Sequence, residues 1–248
     1  QYDDVVAVLS NGSVVDLSDD CLFELGLAHF FLDHRKEASH CFSQVKVSTT
    51  KPSLNFLSHF YLARLALKDG NYQEAMSLLD ALPCTSEEAL KRELFFLKGE
   101  SAFYNKDYPS AIDFFQQALL AAGAKSSWYR DTLYNLGWAY LKHAEDENVS
   151  VNDKKIYLNN ASEIFKQLVS SNPNEYEVIA LANSYLLQAT LLNNTEAYIQ
   201  AEWALSGVSY ESSEEGRFYA QLIRAEASDS YERRESAYQQ LLDSFYNN

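Results

Sequence analysis

The chain has 248 residues, 47% of them hydrophobic and 14% aromatic, with only 8 Gly and 4 Pro, so it is long enough to bury a core without a metal or disulfide staple and reads as long helices on short connections. Acidic residues outnumber basic ones 35 to 20, a formal charge of −15, which argues against nucleic acid and anionic membrane as partners and would steer a basic partner toward the protein. Three cysteines, Cys21, Cys41 and Cys84, are too few and too scattered for a disulfide framework or zinc knuckle and lean toward a reducing compartment, and no apolar run approaches the ~18–20 residues of a membrane span.

At the start, Gln1-Tyr2-Asp3-Asp4-Val5 has a polar residue, a Tyr, two polar or small residues and a small apolar one, with Leu9 four positions on. The same frame returns at Asn71-Tyr72-Gln73-Glu74-Ala75 with Leu79, and at Asp107-Tyr108-Pro109-Ser110-Ala111 with Phe115. Residues 1–17 therefore read as the second helix of a truncated pair. A β-hairpin over Val5 to Leu17, with a type I′ turn at Asn11-Gly12, is the other reading. No initiator Met or signal peptide precedes the first pattern, so the chain is expected to be a segment of a longer protein. The sequons at Asn11, Asn148, Asn160 and Asn193 are read as chance in an Asn- and Ser-rich chain.

Helix pairs are expected over 20–50, 54–83, 90–122, 128–173, 175–206 and 214–246. The first helix of each carries a small residue, Gly26, Ala63, Gly99, Gly137, Ala182 and Ala225 in turn, at spacings of 37, 36, 38, 45 and 43. Twelve residues separate Gly26 from Ala38, Ala63 from Ala75 and Gly99 from Ala111. In the fourth pair, twenty-four residues separate Gly137 from Ala161. The extra stretch, 143–157, is mostly charged and predicts either a lengthened helix pair or an exposed loop. The last pair, around Gly216–Asp229 and Ser230–Tyr246, sets Arg224, Arg233 and Arg234 among acids, a polarity that suits a terminal cap.

These residues resemble the tetratricopeptide repeat family, whose pattern is W-x₂-L-G-x₂-Y…A-x₃-F…P. Leu133-x-x-Leu136-Gly137-x-x-Tyr140 is the clearest match to its first half; Ala38 with Phe42, Ala75 with Leu79, Ala111 with Phe115, and Ala161 with Phe165 and then Pro173 match its second. The match is strong from residue 20 to 173 and weak after 195. The resemblance implies an all-α fold, a right-handed superhelical solenoid of antiparallel helix pairs over 1–248, with about six repeats plus a leading half-repeat. Each pair has two apolar faces that only stacking against neighbours can bury. The period near 37 exceeds the family's ~34 and is similar to that of bacterial cell-envelope members. The compartment stays open between bacterial periplasm or cell envelope and cytoplasm.

In this family, ligands lie in a groove lined by the first helices, at positions three before, one after and four after the small residue. Carried over, these offsets name a first row of Phe23, Phe60, Phe96, Tyr134 and Ile179. The middle row is Leu27, Arg64, Glu100, Trp138 and Asn183, and the last is Phe30, Leu67, Phe103, Leu141 and Leu186. Two rows are apolar and largely aromatic, and exposed they would form a patch that calls for a cover; tight winding that makes them ordinary core is the other reading. The implied function is a protein-interaction scaffold that takes a peptide or helical segment of another protein. The alternative is a regulatory or oligomerisation domain of a longer protein, its groove filled by its own chain, which leaves a homo-oligomer open. The Lys and Asn set that co-chaperones of the family use to grip a C-terminal carboxylate is missing, with only Asn183 fitting.

No Gly-rich phosphate loop, H-E-x-x-H, C-x-x-C or G-x-S-x-G occurs, and no catalytic, cofactor-binding or metal-ligating residue is assigned. His29, His34, His40, Cys41 and His59 are the nearest thing to a metal cluster. His29 and His34 lie five apart across a helix end and so do not share the face that ligand pairs use.

Overall fold

The computed structural model describes residues 2–10, 17–82, 88–121, 127–207 and 213–227, with short helical stretches at 234–236 and 238–239. Twelve α-helices and one 3₁₀ turn, and no strand, occur among the described residues. Where the repeats read as one continuous array, the chain divides into two compact units, 1–121 and 122–248.

The first unit holds α1 (Tyr2–Ser10), α2 (Asp19–Phe31), α3 (Arg35–Ser48), α4 (Pro52–Lys68), α5 (Tyr72–Asp80), α6 (Glu88–Tyr104) and α7 (Tyr108–Ala121). Each helix packs on the next in sequence, and α4 also touches α2 and α6. Three pairs, α2 with α3, α4 with α5, and α6 with α7, are joined by the same turn. Seven residues after each small residue, at Asp33, Gly70 and Lys106, the backbone enters the left-handed region, with φ of 58°, 77° and 64°. Around each, two reversed hydrogen bonds close the helix: Asp33 N–H to Phe30 O and His34 N–H to His29 O, Gly70 to Leu67 and Asn71 to Ala66, Lys106 to Phe103 and Asp107 to Ala102. This is the Schellman closure, which satisfies carbonyls that a helix end leaves unpaired. It reverses the chain in three residues, and so the twelve-residue spacing in the sequence becomes an antiparallel pair.

Residues 1–17 follow the helical reading as far as they are described. Residues 2–10 form α1 rather than the first arm of a hairpin, and Asn11 to Asp16 lie outside the described residues. Tyr2 stacks on Phe31 at 4.8 Å, and Tyr72 stacks on Tyr104 at the same distance. Both contacts join the first residue of a second helix to the last residue of the following first helix. Between the intervening helices an ion pair takes that place, with Arg35 at 2.9 Å from Asp69.

The second unit holds α8 (Ser127–Ala144), α9 (Val151–Val169), α10 (Glu175–Leu192), α11 (Thr195–Ala204), the 3₁₀ turn Leu205–Gly207 and α12 (Glu214–Ala227). Of the two outcomes for the stretch at 143–157, the helix pair lengthens. α8 runs seven residues past Gly137, where α6 runs five past Gly99, and α9 begins ten before Ala161, where α7 begins three before Ala111. The added turns pack on each other, with Tyr157 against Tyr140 at 5.9 Å and against His143 at 4.6 Å. Ser150 caps α9 by accepting from the Asp153 N–H at 3.2 Å, which satisfies one otherwise unpaired donor. The second helix expected in the final pair, 230–246, lies mostly outside the described residues.

A clasp of charge holds the start of α10. Glu177 is 2% exposed and completes a capping box with Asn174. Arg130 of α8 reaches it from 47 residues away, donating from Nε to Oε1 at 2.6 Å and from Nη2 to Oε2. The same guanidinium donates to the Leu168 and Ser171 carbonyls at the end of α9. One forked cation thus ties three helices together, a geometry that Lys cannot supply.

The core is built from one recurrent contact. A Cβ placed on Gly99 would lie 2.5 Å from the Phe115 ring, and one on Gly137 2.5 Å from Phe165. Gly26 faces Phe42 in the same way. In the second pair the two positions hold Ala63 and Leu79, both fully buried. A larger ring on the second helix goes with a smaller residue on the first, because the interior is close-packed. Gly99→Ala is therefore expected to lose about 1–3 kcal/mol by overpacking, despite the better helix propensity of Ala. Adding Phe115→Leu, which copies the Ala63/Leu79 pair, should recover at least about 1 kcal/mol relative to the sum of the single effects. Urea denaturation of the four proteins of this cycle measures both terms.

Candidate interaction face of the first helices

Positions three before and four after the small residue lie on the same stripe of the helix as the small residue itself, whereas the position one after lies about 100° round. The burial pattern follows that geometry. Phe23, Phe60, Phe96 and Ile179 of the first row are buried, and so are Phe30, Leu141 and Leu186 of the last. Phe23 packs on Phe42 at 5.4 Å and Phe96 on Phe115 at 5.9 Å, beside the rings that fill the glycine hollows. These seven residues are core. The expectation of two apolar rows facing a groove is corrected, and no large apolar patch is left by them to cover. Tyr134, Leu67 and Phe103 are half-buried at the margin.

The middle row does reach the surface. Leu27, Arg64, Glu100, Trp138 and Asn183 are all half-buried. With them on the same side of the first helices come residues that the transferred offsets did not name, among them Glu24, Phe31, Tyr61, Lys68, Glu93 and Tyr104. Their signal in the sequence was the helical period itself, because Tyr61 and Glu24 lie three before Arg64 and Leu27, while Phe31, Lys68 and Tyr104 lie four after the middle row.

In the first unit this face centres on Arg64. Its guanidinium lies over the Phe30 ring at 5.4 Å and the Tyr61 ring at 5.9 Å, and Nη1 meets Glu93 Oε1 at 3.3 Å. Lys68 Nζ lies 4.7 Å from the centre of the same Phe30 ring. Two cations thus rest on the negative face of one aromatic ring. Burial pushes the Glu93 carboxyl up, against the pull of Arg64 and Arg92. Burial pushes Glu100 further, to about 7, and Arg64 offsets only part of that. Tyr104 is raised by burial and then by the neighbouring Glu100.

In the second unit, Trp138 and Tyr134 set their edges against Phe165, at 6.2 and 6.1 Å. Burial raises the Tyr134 phenol, and a hydrogen bond from Trp138 lowers it in part. Asn183, on α10, is half-buried.

The sequence spacing placed His29 and His34 on different faces; the Schellman turn folds His34 back, and the two Nδ1 atoms lie 3.3 Å apart. One ring donates to the other. His29 is held below its ordinary range by burial and then by His34. Among the described residues, no three or more His, Cys, Asp or Glu side chains are grouped so as to hold a metal ion, and no helix is long and apolar enough to cross a membrane.

Glu100 makes stability depend on pH with a definite sign. The folded protein holds this proton more tightly than the unfolded chain does, so stability falls as pH rises from the ordinary carboxylate value of 4.5 to about 7, and the penalty is complete above that. Glu100→Gln removes it. Thermal melts should therefore show the variant gaining over the parent at pH 8 and not at pH 5; an equal difference at both would mean that Glu100 ionises freely.

No family model matches this chain. Among solved structures, its fold is similar to that in the crystal structure of BtubC (BKLC) from P. vanneervenii, with 16% sequence identity over 86% of this chain and 91% of that one and a TM-score of 0.50. That likeness is one of all-helical, repeat-like architecture.

Proposed function

We propose that this chain is a non-catalytic protein-interaction scaffold of the tetratricopeptide type, a right-handed solenoid whose first helices offer a face to a peptide or helical segment of another protein. The observation that carries this reading is the half-exposed strip on α2, α4 and α6 with Arg64, Glu93, Glu100 and Tyr104. It combines aromatic rings with an Arg, residue types enriched where proteins recognise one another, and adds carboxylates that can pair with a partner's charge. The apolar residues once expected there are in the core, so recognition on this face is polar and aromatic rather than greasy. The excess of acids favours a segment with basic residues.

Selection from a displayed random-peptide library on the immobilised protein tests the reading. Enriched peptides should carry Lys or Arg beside apolar residues, and Glu24→Lys with Glu100→Lys should weaken them at least about tenfold. Glu163→Lys, on the exposed side of α9, should not. Peptides that bind the double variant unchanged would contradict the assignment. Competition of these peptides with a concentration-dependent dimer would instead place the chain's own surface on this face, the reading in which this is an oligomerisation or regulatory domain.

A further inference from the structure

At one outer position α11 departs from α3, α5, α7 and α9, although Val47, Leu120 and Ile156 are also exposed on those helices. Its inner side is buried through Ala197 and Ala201, and Tyr198 packs on the core of the second unit. On the opposite side, Ile199 is 71% exposed and Trp203 77% exposed. If Ala197 is placed in register with Ala38, Ala75, Ala111 and Ala161, Ile199 corresponds to His40, Ser77, Asp113 and Glu163. If Ala201 is placed there instead, Trp203 takes those four positions. In either register the other helices present polar side chains, so the repeat does not ask for an apolar residue here.

Glu196 lies one turn before Ile199, and Glu202 and Trp203 one turn after it, so the four side chains form one contiguous patch. Both carboxylates are exposed, and α11 contains no Lys or Arg. Neither Glu has an ion pair among the described residues. An exposed Trp beside an aliphatic side chain supplies a large, rigid contact area, and Trp is enriched where interfaces concentrate their binding energy.

We propose that the outer face of α11 docks a basic amphipathic segment of another protein, with Trp203 and Ile199 as apolar anchors and Glu196 and Glu202 as partners for its Lys or Arg side chains. This patch shares no residue with the face of α2, α4 and α6. Charge selects the occupant. A second copy meeting this patch through a two-fold axis would set the same two acids against each other, and an anionic bilayer would be repelled by them.

The probes are a Lys/Leu amphipathic peptide and its Glu/Leu counterpart, titrated against the whole chain by calorimetry. The parent should bind the Lys/Leu peptide. Ile199→Ser with Trp203→Ser should weaken that binding at least about tenfold at an unchanged melting temperature. Leu120→Ser, at a residue of α7 that is 88% exposed, should leave it intact. Glu196→Lys with Glu202→Lys should transfer preference to the Glu/Leu peptide. The proposal is overturned if the parent ignores the Lys/Leu peptide, or if the Ile199/Trp203 variant binds it as tightly as the parent. It is equally overturned if Trp203 drives self-association in sedimentation, or if it carries the protein onto phosphatidylcholine vesicles in place of the peptide.

Discussion

The seating of one aromatic ring in the hollow above a glycine sets the geometry of three helix pairs, α2 with α3, α6 with α7 and α8 with α9, and in α4 with α5 Leu79 on Ala63 takes its place. With Phe115 2.5 Å from where a Cβ of Gly99 would be, and Phe165 equally close at Gly137, the two helices meet at a distance that admits no side chain on the first. The residue three before the glycine then packs on the same ring, Phe23 on Phe42, Phe96 on Phe115 and Tyr134 on Phe165, and the residue four after lies on the same buried stripe. This explains why the apolar positions of the first helix are consumed by its own pair, and why what faces outward is the next stripe, with Arg64 and Glu100 on it.

Much of the fold was legible because this contact has a signature. A small residue followed at twelve by another, and at sixteen by a large apolar residue, marks α2 with α3, α4 with α5 and α6 with α7, and the left-handed turn residue follows at seven. The site was less legible. The groove offsets follow from a family resemblance, whereas helical angle places Phe23 and Phe96 on the stripe of Gly26 and Gly99. The lengthened fourth pair stayed ambiguous because charged helix and charged loop look alike in composition. Arg130 and Glu177 were invisible because 47 residues separate them and neither belongs to the repeat. The contact between His29 and His34 was missed because a straight helix would part them, and only the reversal at Asp33 joins them.

The electrostatics of the exposed stripe depend on what the core has already fixed. Phe30 is held from below by the packing of α2 and offers its ring to Arg64 and Lys68 above. Arg64 in turn is shared between that ring and Glu93, which leaves Glu100 poorly compensated and pushed up to about 7. A cationic side chain from a partner would relieve that burial penalty, so the face is better suited to receive positive charge than negative. The buried clasp at Glu177 shows the contrast, since there Arg130 meets both carboxylate oxygens and nothing is left to recruit.

Hydroxyl-radical footprinting, read residue by residue by mass spectrometry, tests most directly the claim that the rings flanking the small residues are core and the next stripe is surface. The account predicts slow labelling of Phe23, Phe60, Phe96, Phe115 and Phe165 and fast labelling of Phe31, Tyr104 and Trp203. Labelling of Phe23, Phe60 and Phe96 as fast as that of Tyr104 would contradict it, and would return the aromatic rows to an open groove.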